Sequence, residues 1–171
     1  AWAIKEACDA VDTSSYILAS LRSTVDPASL PVITFFIASA IAFSIGTSWA
    51  TMAILVPTVV PLAHNLGGMP LTILAAAAVL DGAIFGDHCS PISDTTVMSS
   101  IASSCDHLDH VRTQIPYALV TMGCAALFGY LGAATLYPAW VGILIGGTVI
   151  TALIFTIGKK PDNLAEDPTD S

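Results

Sequence analysis

Positive charge is scarce in this chain of 171 residues, where five Lys and Arg stand against thirteen Asp and Glu for a formal charge of −8. That balance excludes a broad basic surface, and with it nucleic acid as a partner. Charge of either sign is short as well: it makes up 11% of residues, against about one quarter in soluble domains. Paired cysteines are missing too. Cys8, Cys89, Cys105 and Cys124 are scattered, which excludes a disulfide framework. Asp106, His107, Asp109 and His110, taken with Cys89, Cys105 and His88, invite a zinc reading. The tight Cys-x-x-Cys or His-Glu-x-x-His pairs of zinc sites do not occur, so the Asp/His stretch reads as solvated surface. Nothing defines a nucleophile with its base, and the chain is not read as an enzyme. It starts Ala-Trp-Ala-Ile, without an initiator Met or a signal-peptide pattern. The expectation is a carboxy-terminal portion whose amino-terminal part is missing.

Apolar residues are abundant, at 54% of the chain. Crossing a bilayer takes about 20 of them in a row. The stretches 31–63, 70–85, 116–136 and 139–157 are candidates, so the chain is expected to be an all-α integral membrane protein that crosses several times. Residues 1–29 read as a membrane-edge or linker segment, with Thr13, Ser14 and Ser15 at the start of a short helix. The polar, Pro-containing end 159–171 reads as a disordered tail. Between them, the apolar stretch from Leu30 breaks at Ser44-Ile45-Gly46-Thr47-Ser48 and resumes through Val60. The stretch 67–105 reads as a transmembrane helix broken around Pro91, with Ser93 or Asp94 capping the helix that restarts. A linker, 106–115, leads to a two-helix hairpin over 116–158 that turns at Tyr137-Pro138. Arg112, Lys159 and Lys160 lie on one side of that hairpin, so the positive-inside rule places the linker and the carboxy terminus in the cytoplasm.

Two interruptions in adjacent apolar segments carry the chemistry. Irregular backbone at membrane depth persists only where it is buried in protein or lines a watery cavity, and half-helix ends there offer partial charges to substrates and ions. The first break supplies Gly46 with the hydroxyls of Thr47 and Ser48, and Ser44 beside them. The second supplies the carboxylates of Asp87 and Asp94 with the hydroxyls of Ser90, Ser93, Thr95 and Thr96. An oxygen set of this kind suits a small hard cation. Small hydroxyl residues also pack helices tightly, which is the alternative for any one Ser or Thr. Carboxylates at membrane depth cost several kcal/mol, on the order of 2.5–3.5, and are functional by default. Asp81, on a helix body, reads as a proton relay or as the partner of a polar neighbour. His88 reads as a relay, a ligand or a loop-holding residue.

The run Phe43-Ser-Ile-Gly-Thr-Ser-Trp-Ala-Thr-Met-Ala-Ile-Leu-Val-Pro57 followed by Phe85-Gly-Asp-His-Cys-Ser-Pro-Ile-Ser-Asp-Thr-Thr96 resembles the paired signature of NhaC-type sodium/proton antiporters. The linker from Cys105 to Tyr117 continues the likeness. The resemblance implies membership of the broader ion-transporter group, in which re-entrant hairpins pair with broken helices. On that basis 30–66 is a re-entrant hairpin tipped by Gly46-Thr47-Ser48, the stretch from Asp87 to Thr95 faces it, and the chain holds one half of an inverted-repeat transporter. Asp87, Asp94 and Thr47 are the residues expected to hold sodium.

The function expected is sodium/proton antiport across the cytoplasmic membrane. Desolvation favours a neutral carboxyl and a bound cation favours the ionised one, so proton and sodium compete for one site. The alternative is a malate- or lactate-type organic acid exchanger on the same scaffold, although neither break contains an arginine to clamp a carboxylate. No cofactor is expected beyond the transported sodium ion and proton. The expected partners are the lipid bilayer and the amino-terminal half of the same transporter, with a homodimer left open.

Overall fold

The computed structural model describes residues 26–157 together with 6, 7, 10, 11 and 16. The expected helix after Ser15, residues Lys159 and Lys160, and the expected disordered tail lie outside the described residues. The described part is helical without strands. It comprises α1 (Leu30–Ile45), α2 (Ser48–Cys89), α3 (Asp94–Ala102), α4 (His107–Cys124), a π-helical segment (Ala125–Leu131), the short α5 (Gly132–Thr135) and α6 (Ala139–Ile157). By length and composition, Ser48–Cys89, His107–Thr135 and Ala139–Thr156 are long and apolar enough to cross a membrane.

Inside α2 the chain reverses. Gly67 (φ −148°, ψ 15°) and Gly68 (φ 66°, ψ −158°) leave helical geometry, and the left-handed φ of Gly68 is one that a Cβ disfavours. The packing shows the direction of each arm. Val59, Leu62 and Ala63 of the first arm meet Ala75 and Val79 of the second, with Leu30 of α1 between them. At the other end of the same arms, Ser48 touches Asp87. The two arms are therefore antiparallel, and α1 runs alongside the second arm in the same direction. The reversal falls where the sequence places the boundary between hairpin and broken helix.

The contact between α1 and the second arm is made by small residues. Ala78, Gly82 and Gly86 follow at four-residue spacing, facing Phe35, Ala38, Ser39 and Ala42. A Cβ built on Gly82 would strike the Phe35 carbonyl, and one on Gly86 the Ser39 carbonyl. Lipid tails are as apolar as Leu, so helices in a bilayer gain little from hiding apolar area and associate through this kind of backbone approach. Ser39 spends its hydroxyl on the Phe35 carbonyl at 2.7 Å, so it adds no unpaired polar group to the contact.

The stretch expected as a linker, 106–115, forms the first turns of α4. Asp106 caps the helix, its carboxylate accepting from the amides of Leu108 at 2.9 Å and Asp109 at 3.1 Å. Pro116 lies inside α4 rather than at its start. At the far end, Gly132 lies close under the Tyr137 ring, and the Tyr137 hydroxyl donates to the Phe128 carbonyl at 3.0 Å, closing the turn into α6.

Replacing Gly86 with Val is expected to destabilise the packed arms by at least about 1–3 kcal/mol, because backbone rather than a movable side-chain end blocks the new methyl groups. Gly147→Ala, whose added methyl would meet nothing within 4 Å beyond its own helix turn, is expected to be neutral or to stabilise by up to about 1 kcal/mol. Thermal unfolding of both variants in detergent, read against the parent, checks this.

Candidate functional site

Four helix ends meet at one end of the three-arm bundle. α1 stops at Ile45 because Gly46 turns left-handed (φ 74°) and its amide closes on the Ala42 carbonyl at 2.7 Å. Thr47 is extended (φ −151°, ψ 125°), and α2 begins at Ser48. The second arm of α2 ends at Cys89 because Pro91 cannot continue a helix, and α3 restarts at Asp94. The first break and the second are in contact. A Cβ on Gly46 would lie 2.9 Å from Ile92 Cγ1 and 3.0 Å from the Ile92 carbonyl oxygen. Gly46 is thus required twice, by its φ and by the space.

Asp87 is the centre of the polar network. Its carboxylate is 4% exposed, accepting from Ser93 Oγ at 2.7 Å on one oxygen and from Ser48 Oγ at 3.2 Å on the other. Ser93 Oγ also lies 2.7 Å from Thr95 Oγ1. Ser90, fully buried, donates to the Phe43 carbonyl at 2.8 Å. That bond crosses from the break to the last turn of α1, where a helix ending at a glycine leaves carbonyls without partners. Thr96 Oγ1 reaches the His88 carbonyl at 3.4 Å. One carboxylate, several hydroxyls and four ends of three helices therefore share one locus.

The residues singled out in the sequence separate into two groups. Asp87, Ser90, Ser93, Thr95, Gly46 and Ser48 come together, with Thr47 half-buried at the turn beside them. Asp94 and the two relay candidates stand outside. Asp94 is exposed at the first position of α3, its carboxylate accepting from the Thr95 amide at 2.9 Å. His88 is exposed, with Nδ1 2.8 Å from the Ile84 carbonyl. Asp81 is exposed on the second arm and accepts from the Tyr130 hydroxyl. Tyr130 itself is buried, on the π-helical segment. Such wide turns often mark functional sites, yet the apolar pattern around Tyr130 carries no sign of one. Ser93 was an expected cap, but its hydroxyl goes to Asp87 and α3 starts without a side-chain cap at Ser93.

Removing the Ser93 hydroxyl strips a donor from a buried carboxylate, and Ser93→Ala is expected to cost about 1–3 kcal/mol of stability. Combined with Asp87→Asn, the loss should fall short of the sum by more than about 0.5 kcal/mol, since both changes break one contact. A double-mutant cycle on unfolding in detergent measures it.

The sequence matches the Na+/H+ antiporter family over residues 1–133. It is 37% identical over 160 residues to an uncharacterised protein of Haemophilus influenzae, covering 94% of this chain and 30% of that protein. It is 38% identical over 112 residues to the malate-2H(+)/Na(+)-lactate antiporter of Bacillus subtilis, covering 63% of this chain and 23% of the relative. With the Na(+)/H(+) antiporter NhaC of Bacillus subtilis it shares 32% identity over 116 residues, or 66% of this chain and 24% of that one. The chain spans less than a third of the length of these curated relatives. No solved structure matches it. The family match spans both breaks and all the packed arms, so this chain, an integral membrane protein, belongs to the Na+/H+ antiporter family.

Proposed function

We propose that the locus around Asp87 is one half of a sodium/proton antiport site, completed by the amino-terminal half of the same transporter. The observation that carries this reading is the buried Asp87 carboxylate, held by Ser48 from the hairpin tip and Ser93 from the helix break. Membership of the Na+/H+ antiporter family supports it. Asp87 binds either a proton or a sodium ion, and the hydroxyls of Ser48, Ser93 and Thr95 complete the oxygen set around the cation. Alternating exposure of this one site to the two sides of the membrane couples the opposed movements of the two ions. No chemical step is involved.

The hairpin is proposed to be re-entrant. At 16 residues α1 is about 24 Å long, short of a hydrocarbon core of about 30 Å. Its tip would then sit within the membrane, at the level of the break it touches. Asp94 and Asp81, exposed on this chain, would face the half that completes the site. A cytoplasmic carboxy terminus and α4 start, in a protein of the inner membrane, are part of the proposal, supported by Arg112, Lys159 and Lys160 through the positive-inside rule.

The test is proton movement in vesicles carrying the full-length protein, driven by an imposed sodium gradient. Asp87→Asn keeps the shape and loses the ionisable group, and is expected to abolish exchange; Gly46→Leu should impair it severely while leaving insertion intact. Asp109→Asn, on the exposed start of α4, should exchange as the parent does. Normal exchange by Asp87→Asn would sink the assignment, and uptake that carboxylates rather than sodium compete for would turn the reading to an organic acid exchanger. A cysteine introduced at Asp109 should be labelled by impermeant maleimide from the cytoplasmic side only.

A further inference from the structure

The first arm of α2 carries two prolines, Pro57 and Pro61, inside regular helix. Within α2 only Gly67 and Gly68 leave helical φ/ψ, so the backbone does not unwind at either proline. Proline has no amide hydrogen, and each one removes the donor for the carbonyl four residues earlier. The acceptors left over are the carbonyls of Ala53 and Pro57, one turn apart on the same face.

That face points away from the packed arms. Thr51, Val59, Leu62 and Ala63 are the buried residues of the first arm, and Val59, Leu62 and Ala63 meet Leu30, Ala75 and Val79. At 3.6 residues per turn, Ala53, Pro57 and Pro61 lie about 180° from the middle of that buried side. All three are partly exposed, as is Ala50 one turn nearer the tip. The freed carbonyls therefore open onto a stripe of small or ring-bound side chains. Among the described residues no side chain donates to either of them. Thr51 turns to the Thr47 carbonyl at 3.1 Å, and Asn65 to the Pro61 carbonyl at 2.9 Å.

A proline is tolerated in a membrane helix because a neighbouring helix, a water or a local unwinding satisfies the carbonyl it frees. The helical φ/ψ at Pro57 and Pro61 removes unwinding from that set. Acyl chains offer no donor, so a lipid-covered stripe would leave two polar groups unpaired in hydrocarbon. Two further observations favour protein as the cover. The stripe begins at Ala50, two residues from the Ser48 that bonds Asp87, so whatever completes the Asp87 locus already reaches its end. The chain also spans less than a third of the length of its curated relatives, and a parent of that length has ample helix to lay along the arm.

We propose that the face of the first arm bearing Ala50, Ala53, Pro57 and Pro61 is a docking surface for the amino-terminal half of the transporter, which places hydrogen-bond donors on the freed carbonyls of Ala53 and Pro57. The occupant is an apolar helix carrying a hydroxyl, amide, indole or cationic donor at the level of each carbonyl. Side chains as small as Ala let it come close to the backbone it must reach. The prolines thus act as recognition elements: they prevent the arm from satisfying itself and reserve two acceptors for a partner. The inference rests on the reading that an amino-terminal half completes this chain, and not on which ions are exchanged.

The test places a photoreactive diazirine amino acid at Ile54 or at Val60 of the full-length protein in phospholipid vesicles. These positions flank the stripe, about 60° to either side of its middle, without replacing it. After irradiation, the products are read by gel mobility and peptide mass spectrometry. The dominant product is expected to be a cross-link within one chain, to a segment amino-terminal to this sequence, with a donor side chain within about four residues of the attachment point. The same amino acid at Phe155, 84% exposed on α6, should give phospholipid adducts and shows that lipid is detected when it is there. Dominant phospholipid adducts at Ile54 and Val60 would overturn the proposal, and so would insertion of water, a product of doubled mass from a second copy, or attachment to an aliphatic stretch without a donor. Thermal unfolding against the parent identifies folded variants, and either position suffices where the other does not fold. Sodium-driven proton movement, measured separately on the unmodified protein, reports on the antiport reading, so the two can fail independently.

Discussion

Peptide groups in hydrocarbon have no water to bond, so a helix that stops at membrane depth must find partners for its free ends within the protein. Here α1 ends after Ile45 and α2 after Cys89, and these two neighbouring ends supply each other with partners. The Ser90 hydroxyl goes to the Phe43 carbonyl at the end of α1, and the Ser48 hydroxyl goes to the Asp87 carboxylate at the end of α2. Their contact explains why the carboxylate between them is buried with a hydroxyl donor on each oxygen.

That contact depends on how closely the arms approach. With Gly82 and Gly86 against the carbonyls of Phe35 and Ser39, α1 and the second arm of α2 lie almost backbone to backbone. Gly46 is then brought down onto Ile92. A larger residue at any of these positions would wedge the bundle and separate the tip from the break before it altered any polar atom. The small-residue stripe and the oxygen cluster are successive stretches of the same two arms, one setting the separation and the other using it.

Much of this was legible in the residues. The spans after Pro116 and Ala139, the turn at Tyr137-Pro138, the tip at Gly46 and the break at Pro91 follow from apolar run length, glycine and proline, which act locally. The start of α4 reads as solvated surface by composition, and Asp106, Leu108 and Asp109 are exposed there. What composition could not show is that Asp106 caps the helix and that the half-buried His107 and His110 both meet the buried Ser100, because those contacts depend on how α3 and α4 are placed.

By itself the sequence determined a helical membrane protein of the antiporter family, with two interruptions rich in hydroxyls and carboxylates. Those features reside in composition, in local propensity and in short motifs, and each can be read without knowing what lies beside it. Tertiary structure decided which carboxylate is enclosed. Asp87 and Asp94 look alike in the sequence, seven residues apart on either side of Pro91, yet Asp87 ends inside the contact between tip and break and Asp94 ends on the surface. The difference is one of direction. The last turn of α2 points Asp87 back toward Ser48, which is 39 positions away along the chain, while the first residue of α3 points outward. A pairing across that distance depends on the reversal at Gly67-Gly68 and on the closeness of the arms, and neither is a property of any short stretch of residues.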